Sequence, residues 1–292
     1  MNYADLMRRF YEISEAGNEF EMQVREICQT ASELEGDDLG EVVSEIHVIP
    51  ESIPHDSSAE KLYAKLSDAV VSRLFVELGL KSRVVAERSD SADVVAQSSL
   101  HGYSVVADSK VFRLSRSAKN QKDFKVGALS TWRGDHDHAA LVAPLYQYPS
   151  QESQIYAQSL DHKVALLSFE HLRILLMHGV RETPELSLKS LFSFPEEVSR
   201  QVSHAERKQA IYLQSQLSNV VAGFAHISKI EIGKQLRTFM LALSTRARFE
   251  IEYWEVEMTR MAQMSKEEAI AELIAARKIP AKIHMIRQFV VD

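Results

Sequence analysis

The sequence lacks the residues that disulfide and zinc scaffolds need. Cys28 is the only cysteine among 292 residues. A disulfide within the chain is therefore excluded, and so is a zinc site built from several cysteines. With 45% hydrophobic and 26% charged residues, the composition is that of an ordinary globular protein.

Long hydrophobic runs are also lacking. A membrane span needs about 18 consecutive apolar residues, and the sequence has no such run. Asp5, Glu12 and Glu15 interrupt the N-terminal stretch where a signal peptide would be apolar. We therefore expect no secretion, no membrane partner and a cytoplasmic location.

Charge is unevenly distributed along the chain. The formal charge is −7, yet residues 108–133 contain seven basic residues against two acidic ones. This segment has a balance of +5, so the remaining chain carries −12. A basic segment in an acidic chain indicates a delimited site for a polyanion, although a solvated charged face is the simpler alternative.

Hydrophobic periodicity divides the chain into three regions. Residues 1–58 have apolar positions at helical spacing, which predicts an N-terminal helical region. Residues 59–180 alternate helical and strand patterns, which predicts an α/β core with a mixed sheet flanked by helices. Residues 181–292 are predicted to form a C-terminal helical region, and a linker is predicted over 180–202 at the junction with the core.

Local signals predict individual elements within these regions. Ser57 or Ser58 is expected to cap a helix over 60–79, Ser168 a helix over 169–177, and Ser265 with Glu268 forms a capping box. One helix is expected to start near 117–120 and to run to about residue 132. Strands are predicted over 84–86, 93–96, 103–107, 139–143 and 164–167. The methionines near the C-terminus are expected to pack between helices: Met240, Met258, Met261 and Met264.

An acidic residue two positions before a lysine is the first chemical motif. The pattern Asp/Glu-x-Lys occurs four times, but only Asp108-Ser109-Lys110 follows a strand-like run, at 103–107. In a strand, Asp108 and Lys110 point to the same face because side chains alternate. Asp93 lies 15 residues upstream at the start of the preceding predicted strand, and a hairpin would bring it beside Asp108.

These residue types suit metal-dependent phosphodiester cleavage. Carboxylates bind Mg²⁺, a hard cation that prefers oxygen, and the metal activates water and stabilises the charged transition state. A lysine beside the attacked phosphate adds a compact cation. The alternative is that Asp93 and Asp108 simply occupy strand ends in turns.

Cations recur every three residues after the motif. This spacing would spread them around a helix, so it does not describe one solvated face. A loop that leads into a helix could instead aim them at phosphates, while Asn120 fits an adenine edge and Lys122 or Lys125 could reach guanine. The candidate DNA-binding residues of this segment are Arg113, Arg116, Ala118, Lys119, Asn120, Lys122, Asp123 and Lys125. Ser57, Ser58 and Lys61 lie at another predicted helix start, where amides can bind a phosphate or the serines can act as ordinary caps.

The segment DSKVFRLSRSAKNQKDFKVGALSTWR resembles the HindIII-type type II restriction endonucleases of the PD-(D/E)XK nuclease superfamily. So do IPESI, SSAEKL, QYPSQESQI, QSLD, EYW and EEAI. The resemblance is dense over 49–172 and sparse elsewhere. Ala92 stands where the general motif has proline, and Asp108 where many members have glutamate, but neither change removes a ligand.

The resemblance implies a restriction-endonuclease-like fold, a homodimer and cleavage of the palindrome AAGCTT between the adenines, leaving 5′-phosphate ends. Asp93, Asp108 and Lys110 match the catalytic pattern. Asp93, Asp108 and the Ser109 backbone carbonyl are the expected ligands of Mg²⁺, for which Mn²⁺ can substitute. Asp123 is a further candidate ligand, although an ordinary acid in a first helical turn explains it equally well.

Partners and rival functions follow from the same interpretation. Double-stranded DNA is the expected substrate, and residues 181–292 are expected to form the dimer contact or to embrace DNA. A companion DNA methyltransferase is expected in the same system, without a stable complex. The rivals are another PD-(D/E)XK nuclease, such as a repair or junction-resolving enzyme, and a catalytically inactive DNA-binding module.

Overall fold

The computed structural model describes residues 1–85, 91–116, 121–277, 279–280 and 282–283. The chain divides into two compact units, Met1–Ser244 and Thr245–Asp292. The first contains a sheet flanked by helices, and the second contains the end of one long helix and a further short helix. The region boundaries expected at residues 58 and 180 come from local pattern alone and stay predictions.

Three short helices open the chain: α1 (Tyr3–Glu15), α2 (Phe20–Ser32) and α3 (Gly36–Glu45). The Asn2 side chain caps α1 by accepting a hydrogen bond from the Asp5 amide. Gly17, at φ +70°, lies between α1 and α2 in a backbone conformation that favours glycine. The predicted N-terminal helices are thus confirmed.

The fourth helix, α4 (Ser58–Glu77), passes through the core. The Ser57 hydroxyl caps it by accepting a hydrogen bond from the Glu60 amide. Its apolar side chains, among them Leu62, Leu66 and Val70, are buried. Because α2 packs along its length and strands pack beside it, α4 links the helical layer to the sheet.

In the described part of the chain, five strands form one mixed sheet in the order β1-β2-β3-β4-β5. Antiparallel pairing joins β1 to β2 and β2 to β3, whereas β3, β4 and β5 are parallel. Every residue of β4 and β5 is buried, as expected for parallel strands covered on both faces. The strands are β1 (Lys81–Val84), β2 (Val94–Gln97), β3 (Ser104–Ser109), β4 (His138–Ala143) and β5 (Val164–Ser168).

Further helices pack around this sheet in the first unit, and the chain continues as helix into the second unit. Ser168 caps α8 by accepting a hydrogen bond from the His171 amide, as predicted. The remaining helices of the described chain are α5 (Gln121–Phe124), α6 (Val126–Trp132), α7 (Gln154–His162), α8 (Phe169–Met177), α9 (Ser190–Gln201), α10 (Ala210–Ala225), α11 (Lys229–Ala262) and α12 (Lys266–Ala276).

Two predictions about the course of helices are wrong. The linker expected over 180–202 contains α9, because the apolar side chains of Leu191, Phe192 and Val198 are buried and hold a helix even though Pro195 lies inside it. The single helix expected up to residue 132 is two, since Lys125 adopts φ +48° and breaks the helical path between α5 and α6. Its predicted start, at 117–120, lies outside the described residues.

In the second unit, Ser265 and Glu268 form the predicted capping box at the start of α12. The packing expected for the methionines is wrong for three of the four, since Met258 and Met261, like Met240 in the first unit, have exposed side chains, whereas Met264 is half-buried. None of the helices in the described part of the chain has the length and apolar character that a membrane span requires.

Candidate active site

Strand β3 carries the predicted motif into the centre of the sheet. Asp108 is 1% exposed, and Leu141 of the parallel strand β4 is its register partner. Lys110 directly follows β3 and its amide donates to the Val142 carbonyl at 2.8 Å. The Lys110 ammonium donates to Asp108 Oδ2, so the two side chains share a face, as their spacing predicts.

Asp93 reaches the same place from the neighbouring strand. It directly precedes β2, whose first residue, Val94, pairs with Ala107 of β3. This antiparallel register puts Asp93 beside Asp108, as the predicted hairpin requires. One carboxylate oxygen from each of Asp68, Asp93 and Asp108 lies within 4.8 Å of the others, and we call these three side chains the carboxylate cluster.

Asp68 is the member that sequence reasoning missed. It lies on α4, where its carboxylate is buried. Its Oδ1 atom accepts hydrogen bonds from the Ser109 hydroxyl at 2.7 Å and the Ser109 amide at 3.3 Å. The available signal was an acidic residue among the buried apolar positions of a core helix.

Lys65 is a second residue that the sequence did not single out. One turn before Asp68 on α4, its ammonium donates to Asp93 Oδ1 and lies 3.6 Å from Asp68 Oδ2. Burial lowers the pKa of Lys65, but the carboxylates of Asp68, Asp93 and Asp108 offset this effect and leave the pKa raised. Lys65 is therefore a charged neighbour of the carboxylate cluster.

Burial governs the electrostatics of the carboxylates. It raises the pKa of Asp68 to about 8, and repulsion from Asp93 and Asp108 contributes to the rise. Burial also raises the pKa of Asp108, although the Lys110 ammonium opposes the shift. A cation among these groups would relieve the repulsion between them.

The donor set fits a divalent metal ion. Asp108 Oδ1 is buried and has no hydrogen-bond partner in the described part of the chain. A buried carboxyl oxygen without a partner is costly. Asp108 also belongs to the carboxylate cluster, whose members offer only oxygen ligands. Oxygen ligands of this kind suit a hard cation such as Mg²⁺ or Mn²⁺.

Comparison with known sequences decides the family. The model of the HindIII restriction endonuclease family matches residues 12–290. The chain belongs to this family. Within it, the type II restriction enzyme HindIII of Haemophilus influenzae (strain ATCC 51907 / DSM 11121 / KW20 / Rd) is 36% identical over 272 residues, which cover 93% of this chain and 90% of the relative. Membership in the HindIII family confirms the expected fold class and the class of enzyme, a restriction endonuclease.

The structure corrects the predicted role of Arg113, which lies in the segment that most resembles the HindIII family. Arg113 was expected to face phosphates, but it is only 6% exposed. Its guanidinium pairs with Glu60 Oε1 at 3.0 Å and donates to the carbonyls of Pro50 and Ile53. Arg113 therefore connects the segment that follows β3 to the loop before α4 and to the first turn of α4.

Asp123 lies apart from the carboxylate cluster. Its Oδ1 atom is 3.7 Å from Arg116 Nη2. Among the described residues, Asp123 does not belong to the group of carboxylates that could share a metal ion with Asp93 and Asp108. Arg116 is 59% exposed, so it can contact a phosphate. The structure thus joins Asp123 to a candidate DNA-binding residue.

Of the remaining DNA-binding candidates in this segment, the structure describes the side chain of Lys125. Lys125 is exposed, and its ammonium lies 5.9 Å from the centre of the Trp132 ring. Ala118, Lys119 and Asn120 lie outside the described residues, and so does the side chain of Lys122. Their predicted contacts stay predictions.

Side chains of the protein already accept hydrogen bonds from the backbone amides at the start of α4. The Ser57 hydroxyl donates to the Pro54 carbonyl in addition to capping Glu60, and Glu60 Oε2 accepts from the Asp56 amide. A carboxylate at this helix start disfavours a phosphate there. Ser58 and Lys61 are exposed, and the structure favours the capping role for Ser57.

Proposed function

We propose that the protein cleaves double-stranded DNA at AAGCTT, between the two adenines, with a divalent metal ion and leaves 5′-phosphate ends. The observation that carries this proposal is the carboxylate cluster beside Lys110 at the centre of a mixed sheet. The site and the cut position rest on the resemblance to the HindIII family.

Asp93, Asp108 and the Ser109 carbonyl would hold Mg²⁺, or Mn²⁺ in its place. The bound metal supplies Lewis acidity, which lowers the pKa of water and stabilises developing negative charge. Lys110 adds a positive charge beside the scissile phosphate and orients the attacking water. Asp68 holds Ser109 in place through two hydrogen bonds, and this fixes the backbone between Asp108 and Lys110.

Residues 116–125 would bind and read the DNA. Arg116, held by Asp123, and Lys125 contact phosphates, whereas Asn120 reads a base edge in the major groove. Asn120→Ala should lose about 1 to 3 kcal/mol of discrimination at one base pair per half-site. Arg116→Ala should weaken binding to all sequences and reduce its salt dependence. Equal weakening of every single-base variant of AAGCTT by Asn120→Ala would contradict the recognition role.

A homodimer would match the two-fold symmetry of the site. Its support in this chain is an exposed apolar face at helical spacing on α11, which we call the C-terminal apolar face and which consists of Ile251, Trp254, Met258 and Met261. A second copy of the chain would cover this face. The enzyme would act on DNA in the cytoplasm, where a companion methyltransferase of the same specificity protects the host without a stable complex.

The direct test is digestion of a plasmid of known sequence with Mg²⁺, followed by sequencing of the fragment ends. We expect discrete fragments whose ends all begin 5′-AGCTT. Ends at many sequences would favour a less specific nuclease of the same fold, such as a repair enzyme. Binding without cleavage would favour an inactive DNA-binding module.

A further inference from the structure

Lys65 occupies a place that the proposed reaction leaves unexplained. Its side chain is 26% exposed and reaches from α4 into the carboxylate cluster. There its ammonium contacts Asp93 Oδ1 and lies 3.6 Å from Asp68 Oδ2. Asp93 is one of the expected metal ligands, so the lysine contacts a carboxylate that a metal ion would use.

The cluster places acidic and basic side chains in direct contact. Three carboxylates face two ammonium groups, and each ammonium contacts a different expected metal ligand: Lys110 contacts Asp108, and Lys65 contacts Asp93. Two charges of the same sign a few ångströms apart repel each other, and burial strengthens the repulsion. Without Lys65, Lys110 would be the only cation among the described residues in contact with the carboxylate cluster.

We propose that Lys65 is a positioning residue that holds the Asp93 carboxylate before metal binds and must release it when the metal enters. Lys65 therefore stabilises the metal-free protein and competes with the divalent cation. This inference rests on the proposed metal dependence of the enzyme. It assigns no contact between Lys65 and the reacting phosphate.

Competition and simple structural support give opposite results for metal affinity. If Lys65 competes, its removal leaves a more negative cluster, which binds a dication more tightly. If Lys65 only keeps the cluster in shape, its removal disorders the ligands and weakens metal binding. In both cases the metal-free protein loses stability, so affinity for the metal is the deciding measurement.

The test titrates Mn²⁺ alone into the full-length protein and measures free Mn²⁺ by electron paramagnetic resonance. Lys65→Met removes the charge and keeps a long side chain, and Lys81→Met makes the same change at an exposed position on β1. We expect Lys65→Met to bind Mn²⁺ more tightly than the wild type, by on the order of tenfold. Lys81→Met should match the wild type. Unchanged or weaker binding by Lys65→Met overturns the proposal.

Thermal unfolding adds a second readout. We expect Lys65→Met to melt at a lower temperature than the wild type without metal, and to gain more from added Mn²⁺, since tighter binding gives a larger shift. If Lys65→Met does not fold, Lys65→Gln serves for both measurements. Failure of the wild type and both Lys65 variants to bind Mn²⁺ overturns the proposed metal dependence as well. Binding by the wild type without tightening in the variants overturns only the role of Lys65.

Discussion

Asp68 on α4 accepts two hydrogen bonds from Ser109, one from its amide and one from its hydroxyl. Ser109 lies between Asp108 and Lys110, so this contact joins the core helix to the catalytic strand at the motif itself. The Ser67 hydroxyl adds a further bond to the Ser109 hydroxyl. The position of the motif is therefore set by α4 as well as by the sheet.

Replacing Ser109 with alanine tests this link. Ser109→Ala removes the hydroxyl that donates to the buried Asp68 carboxylate, so we expect it to lower the free energy of unfolding by about 1 to 3 kcal/mol. Urea unfolding measures the change. Ser58→Ala, at an exposed position on α4, is the control and should stay within about 0.5 kcal/mol of the wild type. Equal stability of the two variants would contradict the link.

Arg113 and Arg116 should separate stability from DNA binding. Arg113→Met removes a buried guanidinium that pairs with half-buried Glu60 and bonds to two carbonyls, and we expect it to destabilise the protein by about 3 kcal/mol. Arg116→Met removes an exposed cation, so it should barely change stability while weakening DNA binding. Urea unfolding and DNA titration measure both effects. A stable Arg113→Met protein with weakened DNA binding would restore the phosphate contact expected from sequence.

His171 should make the protein sensitive to acid. The ring is buried between the hydroxyls of Ser168 and Ser218, and burial lowers its pKa to about 4. In the unfolded chain the pKa is about 6.5, so below that value the unfolded state binds more protons than the folded state. Stability should therefore fall by about 3 kcal/mol as the pH falls from about 6.5 to 4. His171→Gln, which does not titrate, should lose less over this range in urea unfolding, and a parallel loss would contradict the assignment.

Signals within a few residues of one another were enough to predict much of the fold. Ser57 and Ser168 cap the helices that their positions predict, because a cap depends only on the next three residues. The alternation around Asp108 and Lys110 places both on one face of β3, as a strand must. The hairpin that brings Asp93 to Asp108 also follows from short-range spacing.

Contacts between distant segments could not be predicted in this way. Asp68 and Lys65 reach the site from α4, about 40 residues before the motif, and nothing local marks them except an acid on a buried face. Arg113 is one of the regularly spaced cations, yet the loop before α4 surrounds it and uses its donors. The sequence shows the spacing of the cations, but only tertiary packing shows whether a cation is exposed to a ligand or bonded within the protein.

Lys110 should be needed for turnover and not for binding. Lys110→Met removes the ammonium that contacts Asp108 and that we expect beside the scissile phosphate. We expect the single-turnover cleavage rate of a duplex containing AAGCTT to fall at least about a hundredfold, because the cation stabilises the charged transition state. Affinity for the same duplex should change little. A loss of affinity that accounts for the whole loss of activity would contradict this role.

The measurement that tests the account most directly compares cleavage and binding by Asp108→Asn on one duplex containing AAGCTT. Asp161→Asn is the matched control, because Asp161 also begins an Asp-x-Lys run but has an exposed side chain paired with Arg207. We expect Asp108→Asn to bind the duplex as the wild type does and to cut it about a thousandfold more slowly or not at all, since a metal ligand is lost. Asp161→Asn should cut normally. Cleavage by Asp108→Asn within about tenfold of the wild-type rate would contradict the assignment of the carboxylate cluster as the catalytic centre.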